Sequence, residues 1–195
     1  MDIDEIFAFY RCEFIPAYSD LVGYIGDKPR QVLIELENVL SHLSQNFNPK
    51  VDQKDKAKNL QMAYDHFVRA TLDCYKLLWV NLHDQLKMIE ADESVRKLGL
   101  NISEAEFLMA LQKIRKLAQE ARSIELESVG LDPMASIDKY KAVVQEGYRL
   151  IEKKDKNKIK DIKSLKGFIS IKGFITGMVI GVFAGVISGY LLLFI

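Results

Sequence analysis

The sequence predicts an all-α protein: a cytoplasmic bundle of about five helices with a single C-terminal transmembrane helix. Three observations predict it. Apolar residues recur at spacings of three and four through most of the first 151 residues. No run alternates apolar and polar residues for long enough, with β-branched side chains, to read as a half-buried strand. The last 23 residues, Gly173 to Ile195, carry no charge. The chain therefore divides into a bundle over 1–151, a basic amphipathic stalk over 152–172 and a membrane helix over 173–195.

Taken in order, Ile3, Ile6, Phe7, Tyr10 and Phe14 form an apolar stripe that is expected to end near Pro16. A short aromatic segment follows through Tyr18, Leu21 and Tyr24, broken by Gly23 and Gly26. Asp27 reads as an N-cap with Pro29 in the first turn of the next helix. That helix carries Val32, Leu33, Leu36, Val39, Leu40, Leu43 and Phe47, and Asn48-Pro49 ends it. The longest pattern runs from about Gln53 to Glu90 through Leu60, Tyr64, Phe67, Leu72, Tyr75, Leu78, Leu82, Leu86 and Ile89, with Thr71 a polar interruption. Ser103 and Glu106 have the spacing of a capping box, and Phe107, Leu111, Ile114 and Ala121 line the helix they open. Gly130 closes it. Asp132-Pro133 opens the last bundle helix, which is expected to run straight into the stalk.

The net charge of zero hides a split. Eight of the 27 basic residues and three of the 27 acidic ones lie between Glu152 and Lys172, a local net of +5. The preceding 151 residues hold 19 basic and 24 acidic residues, a net of −5. Phosphate binding needs a basic face, so nucleic acid is not an expected partner of the acidic bundle.

Cys12 and Cys74 sit in apolar helical patterns and read as buried free thiols, which suits a reducing compartment. The N-terminus lacks the charged and apolar regions of a signal peptide.

The charge-free segment spans about 34 Å as a helix, enough for a hydrocarbon core of about 30 Å. Lysines flank it only on the N-terminal side, so the bundle is expected on the cytoplasmic face, in a bacterial inner membrane. With Ile195 as the last residue, the expected arrangement is that of a tail anchor. Gly173, Gly177, Gly181, Gly185 and Gly189 recur every fourth residue. Five glycines scattered over 23 sites fall in such a register roughly once in 5,000 arrangements, and the spacing is that of close helix–helix packing. Thr176 and Ser188 offer hydroxyls to a neighbouring helix. The expected partner is a second copy of the chain.

In the stalk, Ile159, Ile162, Leu165, Phe168 and Ile169 share one helical arc, and Gly167 marks a bend. Lys153, Lys156, Lys160, Lys163, Lys166 and Lys172 are expected to contact anionic lipid.

No Gly-rich phosphate loop, paired-cysteine metal site, HExxH or nucleophile elbow is present, so no catalytic residue, cofactor or metal is expected. His42, His66 and His83 stand alone on their helices. Arg69 and Asp73 are spaced as an ion pair. Asp92, Glu93, Glu125 and Glu127 read as solvated surface. Asn101-Ile102-Ser103 matches a glycosylation sequon but reads as a helix cap.

The segment AKNLQMAYDHFVRATLDCYKLL, Ala57 to Leu78, resembles a core helix of HEPN-like helical proteins. The layout of helical body plus membrane helix is similar to membrane-bound CRISPR accessory proteins of that kind. The resemblance implies a helical body and a place in prokaryotic defence. The HEPN nuclease signature, an arginine followed four to six residues later by a histidine, is absent, so RNA cleavage is not implied.

Together these features point to a non-enzymatic membrane effector whose oligomer perturbs the membrane when a cytoplasmic partner engages the body. The rival expectation is an adaptor that recruits a soluble partner without permeabilising the membrane.

Overall fold

A computed structural model describes residues 1–127 and 134–192, with side chains as far as Val182. Among these residues the chain is mostly helical and forms no strand, only an isolated antiparallel bridge between Leu100 and Lys154. The helices are α1 (Ile3–Phe9), α2 (Ile15–Ile25), α3 (Arg30–Asn46), α4 (Gln53–Ala91), α5 (Glu93–Leu98), α6 (Glu104–Glu127), α7 (Met134–Ile151) and α8 (Lys156–Leu192).

Pro16 does not end the first helix. A π-helical turn, Tyr10–Phe14, joins α1 to α2. Proline lacks an N–H, and its ring crowds the carbonyl four residues back. The wider turn, in which the Ile15 N–H reaches the Tyr10 carbonyl, relieves both problems without stopping the helix. It also changes which residues face inward. Phe9 and Phe14, five apart, are both buried. Cys12 between them is exposed, so only Cys74 is the buried thiol that the pattern suggested for both. Gly23 is helical, and Gly26 ends α2 in the left-handed conformation at φ 74°. Asp27 does not cap α3: the cap position is Pro29, with no side-chain cap.

The 39-residue α4 is the spine. Asp52 caps it by accepting from the Asp55 N–H at 2.8 Å. Phe67, Leu78, Leu82 and Leu86 are buried along it, each worth about 1.5–3 kcal/mol relative to exposure. Thr71 belongs to the same face, because its hydroxyl donates to the Phe67 carbonyl at 2.8 Å and needs no other partner. Helices α1, α2, α3 and α7 pack around α4, and α6 packs on α7. Rings from the π turn meet this spine: Tyr10 and Phe14 both lie against Phe67. Gly147 lets α7 approach closely, since a β-carbon there would stand 3.2 Å from Leu82 Cδ1.

Helix α3 uses a narrower stripe than its sequence suggests. Val32, Val39 and Leu43 are buried, while Leu40 and Phe47 are 68% and 70% exposed.

The capping box of α6 is present, with reciprocal bonds between Ser103 and Glu106. Gly130, read as the stop of α6, and Asp132-Pro133, read as the start of α7, lie outside the described residues. Helix α7 does not continue into the stalk. It ends at Ile151, and Asp155 starts α8 by accepting from the Asn157 and Lys158 N–H groups. Gly167 does not break α8.

Candidate membrane helix and its seat on the bundle

Helix α8 is one unbroken helix that joins the stalk to the charge-free segment. It is long and apolar enough to cross a membrane, and none of its apolar window is buried in the protein. Phe174, Met178 and Ile180 are more than 60% exposed. Side chains so apolar and so uncovered need an apolar surrounding.

The described glycines of the four-residue repeat, Gly173, Gly177 and Gly181, face open space: a β-carbon on any of them would meet nothing within 4 Å. Gly185 and Gly189 fall within the bounds of α8, and their surroundings lie outside the described residues. The same holds for the Ser188 hydroxyl. Among the described residues nothing packs closely on Gly173, Gly177 or Gly181, in contrast to Gly147.

The root of α8 is fixed to a corner made by α4, α5 and the segment before α6. The Asn101 N–H donates to the Lys153 carbonyl at 2.8 Å, and the Asp155 N–H donates to the Gly99 carbonyl at 2.9 Å. Ile159 packs over Gly99, and Ile162 is buried. Lys158 donates to the Asn101 side chain at 3.0 Å. One turn beyond Ile162, Lys166 pairs with Asp92 at 2.7 Å. Asp92 also caps α5, accepting from the Ser94 and Val95 N–H groups. The Lys166 ammonium, reinforced by the Val95 N–H, holds the Asp92 carboxyl below its ordinary value.

This seat changes the reading of the stalk. Ile159 and Ile162 face the bundle rather than lipid. Lys166 is paired with Asp92, and Lys153 lies in the turn before α8. Lys154, not among the expected lipid contacts, is half-buried and donates to Gln85 at 3.3 Å, and burial with nearby Lys163 lowers its pKa. Lys156, Lys160, Lys163 and Lys172 are exposed on α8. Leu165, Phe168 and Ile169, from the same arc as Ile159, remain at least 60% exposed beyond the seat. Helix α5 itself went unread, although Asp92 and Gly99 bracket it as a cap and a stop.

Two polar clusters lie deeper in the bundle. Glu125 is not solvated: its carboxylate takes Lys76 at 2.9 Å, Arg122 at 2.9 Å and the Tyr140 hydroxyl at 3.0 Å. Burial opposes its charge, but those three donors outweigh burial and hold the carboxyl below the usual glutamate value. Asp73 accepts from Gln31 at 2.6 Å and faces Lys76, not Arg69, which is exposed.

The second cluster pairs two histidines that the sequence places 24 residues apart. The rings of His42 and His66 stack at 5.3 Å between α3 and α4. The Asn59 amide donates to the Asp55 carbonyl, which turns its oxygen toward His42 Nδ1 at 2.9 Å. His66 Nδ1 meets Glu35 at 2.5 Å. Both Nδ1 atoms are thereby donors. Among the described residues no group of three or more His, Cys, Asp or Glu side chains is arranged to hold a metal. Only the fold brings the two rings together, so no local spacing could have announced them.

Comparison with protein-family models, with curated proteins and with solved structures finds no match to the chain.

Proposed function

We propose that the chain is a single-pass membrane protein that self-associates through the glycine face of α8. Its helical body stands on the cytoplasmic side of a bacterial inner membrane, where the assembled helices perturb or permeabilise the bilayer. Its action is non-enzymatic, set off by a cytoplasmic protein partner, and its setting is antiviral defence. The carrying observation is the run of glycines at Gly173, Gly177 and Gly181 on a stretch of α8 against which no described residue packs. Glycine destabilises an isolated helix relative to alanine, and the cost is recovered where a second backbone comes close. The lysines before Gly173 support the cytoplasmic orientation, and the exposed ones among them suit anionic lipid. The defence setting draws on the resemblance of Ala57–Leu78 to HEPN-like helices.

The test is expression of the full chain with dye-leakage and membrane-potential readouts. A triple variant, Gly177→Leu, Gly181→Leu and Gly185→Leu, is expected to lose both oligomers in detergent and membrane damage. Oligomers of unchanged size in that variant would refute the glycine contact.

A second reading, a membrane-bound adaptor, is favoured by one observation. Leu40 on the outward side of α3 and Phe47 at its C-cap are both largely exposed, on a helix that packs on α4. Normal membrane potential together with intact oligomers would select it.

A further inference from the structure

The seat of α8 shares one side of the helix with Gly173 and Gly177. A residue advances an α-helix by about 100°. Measured from Lys166, Gly173 and Gly177 fall about 20° to either side of the same line, whereas Gly181, Gly185 and Gly189 turn away by about 60°, 100° and 140°. Ile159 and Ile162 lie within about 40° of that line too. Helix α5, held by Asp92–Lys166 and by Gly99 against Ile159, therefore stands on the line of Gly173 and Gly177, only about 10 Å above Gly173.

Two copies inserted in the same direction bring their stalks up the same way. A partner helix lying along Gly173 and Gly177 continues upward as its own stalk, into the space that α5 occupies. Glycine contacts bring axes closer than the usual 8–10 Å, and a helix with its side chains is about 10–12 Å across. The two cannot share that space. Gly181 and the glycines beyond it are turned away from the seat and lie at least about 22 Å below Lys166, so they remain reachable.

We propose that the docked body gates the glycine face: while α5 holds the stalk at Ile159, Ile162 and Lys166, α8 helices associate only through Gly181 and beyond, and undocking of α5 opens Gly173 and Gly177 to complete the contact. This inference rests on the glycine face being the association surface proposed above.

The backbone bonds from the Asn101 and Asp155 N–H groups hold the root of α8, whereas the latch above them, at Ile162 and Lys166, is weak. Its ion pair is half exposed, so it contributes little and is easily exchanged for other partners. The apolar part of the seat is small, consisting of Ile159 over Gly99 and the buried Ile162.

The experiment measures self-association of the full-length chain by energy transfer between donor- and acceptor-labelled copies, in vesicles of three parts neutral to one part anionic phospholipid. Asp92→Asn keeps a side-chain acceptor for the α5 cap and leaves Lys166 in place, so it removes the ion pair alone. It is expected to tighten association roughly two- to fivefold. Adding Ile162→Ala is expected to tighten it further, with helix content and the melting transition of the bundle retained. Association equal to or weaker than wild type in both variants, while the glycine triple variant still abolishes it, would overturn the gate and leave the glycine contact standing. Undiminished association in the triple variant would overturn the glycine contact and the gate with it.

Discussion

Ile159 Cγ1 lies 2.9 Å from the point where a β-carbon on Gly99 would stand, and the Val95 carbonyl oxygen is equally close. Gly99 has a φ of −92°, so space and not backbone conformation requires the glycine. Gly99→Val is expected to push Ile159 off the corner and to cost about 1–3 kcal/mol, as overpacking does. Thermal unfolding of the full chain, with proteolysis in the 152–155 turn, checks it; an unchanged melting point with no new cleavage would count against the close fit.

The Asp92–Lys166 latch has a defined acid limit. The Asp92 carboxyl is held below its ordinary value of 3.8, so the unfolded or undocked state binds its proton first. The contribution is complete above about pH 4 and is lost as pH falls through the lowered value. A spin-label distance between α5 and α8 is expected to stay constant from pH 7 to 5 and to lengthen at the acid end. Lengthening that begins near pH 6 would implicate a different group.

The two thiols are expected to behave oppositely. Burial, with the Asp73 charge beside it, pushes the Cys74 thiol up to about 12, whereas Cys12 is exposed. At pH 8 a thiol reagent should label one group per folded chain, and Cys12→Ser should abolish labelling until denaturant is added. Two fast-reacting thiols would mean that Cys74 is not buried on α4 as described.

Glu125→Ala removes the shared acceptor of Lys76, Arg122 and Tyr140 and strands a partly buried ammonium. A loss of about 2–3 kcal/mol is expected, larger than for a solvent-facing glutamate. Chemical denaturation of the variant beside Glu127→Ala, whose carboxylate meets only Ser123 among the described contacts, separates the two cases.

At high pH the bundle is expected to loosen before its lysines neutralise fully. Burial pushes Tyr75 and Tyr140 up to about 12, against an ordinary value of 10. Between those values the unfolded chain has released protons that the folded chain retains, so stability falls as pH rises. Denaturation midpoints at pH 9, 10.5 and 11.5 should decrease in that order. A flat profile would mean that both hydroxyls are solvated.

Much of this architecture is legible in the sequence because its signals are local. The stripe of α4 is nearly 40 residues long and starts at a capping aspartate, so its bounds come out almost unchanged. Ser103 and Glu106 settle the start of α6 for the same reason. Errors arise where a local rule meets a tertiary one. Pro16 is a helix breaker by itself, yet the π turn absorbs it. Asp73 has Arg69 one turn away but is held by Gln31 from another helix. The stalk is the instructive case. Its apolar arc reads equally well against lipid or against protein, and only the position of Gly99 and Asp92 in space decides for Ile159, Ile162 and Lys166. Six-residue α5 is too short to show periodicity, so the element that makes that decision is the one the sequence hides.

The continuity of α8 has a mechanical consequence. A 37-residue helix is about 55 Å long and has no hinge at Gly167. Clamped at its first three turns, it acts as a tiller: a rotation of the body by about 10° swings the far end sideways by roughly 10 Å, about one helix diameter. Any turn of the bundle is thereby amplified at the far, apolar end of α8.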